Sequence, residues 1–309
     1  MRIVFFGSPQ FAAIILKRLL SWEGAEVVAV ITQPDRPAGR GKRPRATPVK
    51  ELALSRGIEI LQPPALKGNK EIIDHLKNLR AHLFVVVAYG LLLPEEIIYL
   101  PPLRTINVHA SLLPKYRGAA PIQWAILNGE KVTGITIMEM EKELDTGPIL
   151  LQRALAIGIE DTAQSLHDEL AQMGGELLIE ALKKIKEGRI VPISQDHSLA
   201  SYAPKLTKEM GEVSWHNRAL IIHNKIRGLY PWPMAYFKFT SARGRTINVQ
   251  LFPGEIGRER PEDARPGEVL GLKEDALEIA CEDRIYRIKR LRPQGSRILS
   301  AREFSCGYL

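Results

Sequence analysis

The sequence predicts an α/β protein in two parts: a mostly parallel sheet with helices on both faces, followed by a small β-barrel. Three observations carry this. Up to residue 188, apolar strand-like runs alternate with segments of helical period. Over 189–204 that period is lost and Pro192, Ser194, Ser198, Ser201 and Pro204 accumulate. Beyond Pro233, strand-like runs recur roughly every ten residues with Gly and Pro between them. A chain of 309 residues has room for two domains. They are read as 1–188 and 205–309, joined by a linker over 189–204.

The first strand is Arg2–Gly7, a short apolar run ending in a turn. Phe11, Ile14, Ile15, Leu19 and Leu20 then repeat at helical spacing over 10–22. Strands follow at 26–32 and, more weakly, 58–61, with helices at 49–55 and 71–79. The run 82–89 is rich in β-branched residues and reads as a fourth strand, 105–109 as a fifth and 134–140 as another, with a helix at 122–127. The stretch 162–187 carries Leu166, Leu170, Leu177, Ala181 and Leu182 near one face of a long helix. In the second part, 217–227 is a short helix before the stiff turn Tyr230-Pro-Trp-Pro. The strand-like runs are 234–240, 246–252, 267–271, 276–281 and 285–291. In a parallel sheet ligands bind beyond the carboxyl ends of the strands. The turns after Gly7, Tyr89 and Val108 therefore face the candidate cleft.

Composition narrows the function classes. The chain carries 43 Lys+Arg and 35 Asp+Glu, a net charge of +8, and most of that excess lies beyond residue 203. Such a bias suits a polyanionic partner and equally suits simple solubility. Two cysteines, Cys281 and Cys306, make neither a disulfide framework nor a CxxC pair. The N-terminal apolar run is short for a signal peptide, and no apolar stretch has the length of a membrane span. The expectation is a cytoplasmic, monomeric protein with no membrane partner. The histidines show no metal-ligand spacing, so no metal is expected. Gly7-Ser-Pro-Gln is not a dinucleotide fingerprint, and Gly39-Arg-Gly-Lys42 is not a Walker A loop.

Chemistry concentrates at Asn107-Val-His109. Two residues apart on a strand, Asn107 and His109 share a face. An amide N–H suits a developing oxyanion, and an imidazole exchanges protons near neutral pH. The alternative is a strand end capped by polar side chains. Asp145, in the turn Leu144-Asp-Thr-Gly-Pro148, is a plain turn former unless it meets His109 in space. Ser111 lacks the setting of a nucleophile elbow. The segment 33–47 holds Arg36, Arg40, Lys42, Arg43 and Arg45 against the single acid Asp35. It reads either as a solvated loop or as a flexible basic finger that orders on a phosphate backbone. A second basic run, from Arg284 to Arg302, contains no acid over 284–301.

Taken in order, Asn107-x-His109, Ser111-Leu-Leu-Pro114, Arg117-Gly-x-x-Pro121 and Leu144-Asp-Thr-Gly147 resemble the 10-formyltetrahydrofolate-dependent formyltransferases. Gln33-Pro-Asp-Arg-Pro-Ala-Gly-Arg-Gly-Lys42, Tyr202-Ala-x-Lys-Leu206 and Ile226-Arg-x-x-x-Pro-Trp-Pro233 resemble those members that act on methionyl-tRNA. The resemblance covers nearly the whole chain. It implies a Rossmann-like catalytic domain and a C-terminal barrel similar to an OB fold that binds tRNA. It implies Asn107, His109 and Asp145 as catalytic residues, and Ser111, Leu112, Leu113 and Pro114 as part of the folate site. Arg36, Arg40, Lys42, Arg43 and Arg45 would contact tRNA, with 10-formyltetrahydrofolate as co-substrate and initiator methionyl-tRNA as partner. The sequence departs from the family pattern at Glu143, where Gly is common, and at Glu141, where Asp is frequent. Two other readings share the same residues. One is formyl transfer to a sugar nucleotide or purine precursor, or hydrolysis of formyl-folate. The other is a non-catalytic RNA-binding protein on an inactive formyltransferase domain, against which the intact trio argues.

Overall fold

The computed structural model describes residues 1–38, 43–240 and 244–309. They divide into two compact units. The first comprises Met1–Pro121, Val132–Ala156 and His167–Ala203; the second comprises Ile122–Lys131, Ile157–Leu166 and Pro204–Leu309.

The first unit is built on a seven-stranded sheet. Its strands are β1 (Arg2–Gly7), β2 (Glu26–Ile31), β3 (Glu59–Leu61), β4 (Leu83–Val87), β5 (Thr105–His109), β6 (Val132–Glu139) and β7 (Ile149–Ala156). Their spatial order is β7-β6-β5-β4-β1-β2-β3. The first five are parallel; β6 pairs antiparallel with β5, and the edge strand β7 pairs antiparallel with β6 and so runs with the first five. Strand order reverses about β1, which places the topological switch point between β1 and β4. Both faces of the sheet are covered, as a parallel sheet requires. On one side Val4, Phe6, Phe84 and Val86 pack with Ile72, Ile73 and Leu76 of the helix Lys70–Asn78. On the other lies the helix Ala163–Lys186. A Cβ added at Gly174 would stand 3.1–3.6 Å from Ile15, Val108 and Ile135. The absence of a side chain there lets the helix lie close on the sheet.

Helix ends follow local chemistry. Thr47 accepts the Lys50 N–H ahead of the helix Pro48–Ser55, and Asn69 accepts the Ile72 N–H ahead of Lys70–Asn78. Strand β4 stops at Val87, short of the expected 89, because Ala88 and Gly90 take left-handed φ values of 45° and 88°. Strand β7 was not expected, since Arg153 and three alanines or polar residues break its apolar pattern. Within the basic segment, where a loop was expected, Arg36–Ala38 and Arg43–Arg45 pair as an antiparallel ribbon. Of the stretch 189–204, expected to be a linker, residues 189–203 pack within the first unit. Ile193 bridges Ile149, and Tyr202–Ala203 pairs with Arg117–Gly118.

In the second unit, small antiparallel sheets follow the helix Ala219–Gly228. One holds Ala235–Thr240, Thr246–Leu251, Arg290–Pro293 and Leu299–Ser300; the other holds Glu255–Glu259, Arg284–Ile288, Ala276–Ala280 and Val269–Lys273. The run 285–291, expected as one strand, belongs to both sheets and changes partner at Lys289. Strand Glu255–Glu259 (EIGRE) was missed because three of its five residues are charged. One apolar core joins both sheets and the flanking helices, with Ile222, Phe237, Leu251, Ile279 and Phe304 among its members.

A buried polar chain runs through this unit. The His223 Nε2–H donates to the Ile159 carbonyl at 2.8 Å, so Nδ1 accepts from the Tyr286 hydroxyl at 3.0 Å. That hydroxyl in turn accepts the Gly254 N–H at 3.1 Å. Burial holds the His223 pKa below its ordinary 6.5, outweighing the Ile159 hydrogen bond. Below the ordinary value, the unfolded chain takes up a proton that the folded chain refuses. Stability is therefore lost as pH falls from the ordinary toward the depressed value, by up to ~1.4 kcal/mol per pH unit. Denaturant unfolding between about pH 7 and 5 should show a steeper loss for the wild type than for His223→Gln; equal slopes would contradict the assignment.

Candidate active site

The polar residues at the end of β5 meet the turn between β6 and β7. In register, Asn107 lies between Val86 of β4 and Met138 of β6. The segments leaving those neighbours, 88–93 and 140–148, therefore flank it on both sides. An exposed ion pair at 2.9 Å ties Lys142, on the second of them, to Glu95, just beyond the first. Asp145 has a left-handed φ of 55° and is 9 % exposed. Its Oδ1 lies 3.4 Å from the Asn107 amide Nδ2, and its Oδ2 accepts the Gly118 N–H at 2.8 Å. The His109 Nδ1 is 3.7 Å from Oδ2, and its Nε2 donates to the Tyr116 carbonyl at 2.9 Å. A carbonyl only accepts, so Nε2 carries a hydrogen. The nitrogen free to gain or lose a proton is Nδ1, beside the carboxylate. Asn107, His109 and Asp145 are thus brought together.

Support for Asp145 comes from Gln195, which the sequence did not single out, and from Arg117 of the Arg117-Gly-x-x-Pro121 motif. Gln195, 6 % exposed, donates its amide to the carbonyls of Asp145 at 2.9 Å and Gly147 at 2.7 Å. Its own oxygen accepts from Arg117 Nη2 at 2.7 Å and Nε at 3.3 Å. Arg117 is buried, and its Nη2 also reaches His197 Nδ1 at 3.1 Å. No pattern in the sequence announces this, because Gln195 stands fifty residues from Asp145 in an aperiodic stretch.

The segment from Ser111 to Pro114 is held from within. The Ser111 hydroxyl donates to the Lys115 carbonyl at 2.7 Å, and Ser111 and Leu113 are buried. Thr136 donates to the Ser111 carbonyl and accepts the Leu113 N–H, and Gln152 donates to the Leu113 carbonyl. The Leu113-Pro114 peptide is cis. Of the four, Leu112 and Pro114 keep partial exposure.

A second feature lies at the switch point. A cleft of about 740 Å³ opens beyond β1, β2 and β4, with Ser8, Gln33, Arg36, Arg45, Tyr89 and Gly90 in its lining. Polar groups line it: Ser8 Oγ accepts the Gln33 N–H at 3.1 Å, and the Thr47 hydroxyl is 2.6 Å from that of the buried Thr32 behind it. In the ribbon, Arg36 stands directly opposite Arg45. Two like charges in register repel, which a polyanion would relieve. Arg40 and Lys42 lie outside the described residues, and Arg43 is placed by its backbone in the ribbon. The C-terminal basic run, by contrast, is matched by acids from other strands and loops. Arg287 meets Glu274 at 2.8 Å, Lys289 meets Glu255 at 2.5 Å, and Arg302 meets Asp275 at 2.9 Å. The Arg290 guanidinium lies 5.2 Å from the Phe252 ring centre.

Residues 1–182 match the formyl transferase family model, and residues 205–309 match the model of the formyl transferase C-terminal domain. The whole chain is 47 % identical to a methionyl-tRNA formyltransferase of Nitratidesulfovibrio vulgaris strain Hildenborough and covers 93 % of it. It is 50 % identical to a methionyl-tRNA formyltransferase of Caldanaerobacter subterraneus subsp. tengcongensis, spanning 100 % of this chain and 97 % of that one. Among solved structures, HypX from Aquifex aeolicus in complex with tetrahydrofolic acid matches with a TM-score of 0.64 at 22 % identity. That match covers 98 % of this chain and 47 % of HypX, so the chain spans about half of that protein. An N-formyltransferase from Helicobacter canadensis matches with a TM-score of 0.63 at 18 % identity, over 93 % of this chain and 98 % of the other. At these identities the structural likeness is one of fold. With both family models and full-length relatives in agreement, the chain belongs to the formyl transferase family.

Proposed function

We propose that this chain transfers the formyl group of 10-formyltetrahydrofolate to the free α-amine of methionyl-initiator tRNA. The observation that carries the reading is the 47–50 % identity, over essentially the full length, to proteins named for that reaction. The cluster of Asn107, His109 and Asp145 supports it from the side of the chemistry.

The residues around that cluster suit a folate. Leu92 and Leu144, on the two flanking segments, are 76 % and 52 % exposed. They offer apolar surface beside a polar cluster, which is what a flat heteroaromatic ring with polar edges requires. When bound, 10-formyltetrahydrofolate supplies an activated formyl carbonyl. The chain's own residues then act on charge and protons. The amide of Asn107 carries two N–H groups; one is directed at Asp145, and the other can donate to the carbonyl oxygen as negative charge builds on it. His109 holds or releases a proton at Nδ1, with Nε2 fixed on Tyr116. Asp145 orients both and, directly or through water, receives the proton that the attacking amine sheds. No nucleophile is required of the enzyme, since the amine belongs to the acceptor.

The ribbon 36–45 serves tRNA in this reading. Arg36 and Arg45 line the cleft at the switch point, next to the turns where a ligand of the sheet belongs. Arg40, Lys42 and Arg43 would extend the same charge along a phosphate backbone.

The direct test is formylation of methionyl-initiator tRNA from 10-formyltetrahydrofolate, with free methionine and methionyl-elongator tRNA as controls. Product confined to the charged initiator is expected. Turnover of the folate without formyl-methionine would assign another acceptor, or water. Within that assay Asn107→Ala should lower kcat by about 10²–10³; near-normal turnover would remove Asn107 from the reaction. Replacing Arg36 and Arg45 by Gln should weaken tRNA binding and reduce its salt slope by about one per charge. An unchanged slope would leave the ribbon as ordinary surface.

A further inference from the structure

We infer that Gln195 is a positioning residue for the reaction: it sets the pose of Asp145, and Arg117 sets the pose of Gln195. The inference rests on the role proposed above for Asp145.

The contacts form a closed circuit. Gln195 Nε2 donates to the carbonyls of Asp145 and Gly147, on either side of Thr146. Gln195 Oε1 is taken by the Arg117 guanidinium. Arg117 precedes Gly118, whose N–H donates to Asp145 Oδ2. The backbone and the side chain of Asp145 are therefore referenced to the same two residues, 117 and 118. A left-handed backbone at a non-glycine residue persists only where its surroundings impose it. Here one amide satisfies two buried carbonyls at that turn, so the same group that removes their desolvation cost also selects the strained conformation.

The circuit is anchored on both sides. His197 Nδ1 accepts from Arg117 Nη2, and the Arg117 N–H donates to the Ser201 carbonyl at 2.8 Å. Gly118 has φ 119°, and a Cβ there would lie 2.8 Å from the Ala203 carbonyl oxygen. Segment 195–203 is thus held against 117–118 by side chains and backbone together. A small shift of Gln195 passes directly to the carboxylate. Displacing a reacting group by ~1 Å can cost ~10²-fold in rate.

The experiment uses the full chain with Gln195→Met and Gln195→Glu. The first removes both halves of the amide; the second keeps an acceptor for Arg117 but has no N–H for the two carbonyls. Both should lower kcat by roughly 10- to 100-fold, with KM for 10-formyltetrahydrofolate and for methionyl-tRNA within about threefold. In an Asp145→Asn background, Gln195→Met should cost less than about twofold further, because both changes act on one group. Amide hydrogen exchange over 143–147 should quicken in Gln195→Met without substrate. A kcat within about twofold of wild type, or losses that multiply in the double variant, would overturn the inference. Gln195→Glu retains the buried partner of Arg117, which guards against misfolding as the cause. Failure of the wild type to formylate methionyl-tRNA would sink the proposed function instead. The exchange readout and the ratios on whichever acceptor turns over would still judge Gln195.

Discussion

An acceptor group buried at the end of a sheet must be met by donors, and the first unit is arranged around one such group. The Asp145 carboxylate receives the Gly118 N–H and faces the Asn107 amide and the His109 ring. Leaving it unmatched would cost several kcal/mol, on the order of the desolvation of a buried polar or charged group. Meeting it fixes the end of β5, the turn between β6 and β7, and the start of the segment after Arg117 in one geometry. The chemistry proposed for the trio needs that same geometry, so folding and function place the same demand on these residues.

Much of the first unit was legible because a parallel sheet writes itself in uninterrupted apolar runs. Arg2–Gly7 and Thr105–His109 were read with their observed limits, and Asn107 and His109 on one face followed from strand periodicity alone. Asp145 was visible only as a turn residue. Its partnership with His109 depends on how β6 returns beside β5, and the sequence reading reached it through family resemblance. Strand β7 and Glu255–Glu259 escaped notice because edge strands carry charged and small residues that erase alternation. The 285–291 run shows the complementary error: unbroken strand character hides a change of sheet at Lys289.

Charge was the least legible property. A linear run of basic residues from Arg284 onward looks like an open cationic face. The fold brings Glu255 of a paired strand and Glu274 and Asp275 of a turn against it, and most of those pairs are exposed enough to contribute little stability. They do cancel charge. Between 36–38 and 43–45 the pairing acts the other way and sets arginine across from arginine. Spacing along the chain shows how many charges there are; strand register decides which of them stand against a partner of like or opposite sign.

The packing of 189–203 bears on how such proteins can be recombined. The family models end at residue 182 and resume at 205, as though the stretch between them were interchangeable. Gln195, His197 and Tyr202–Ala203 belong instead to the first unit. A chimera that takes its front half from one relative and its rear half from another keeps a self-consistent front half only if the splice falls after Ala203. Splicing at 188 would take the residue at 195 from the other relative, and wherever that residue is not Gln the turn at Asp145, fifty positions away, would lose its partner.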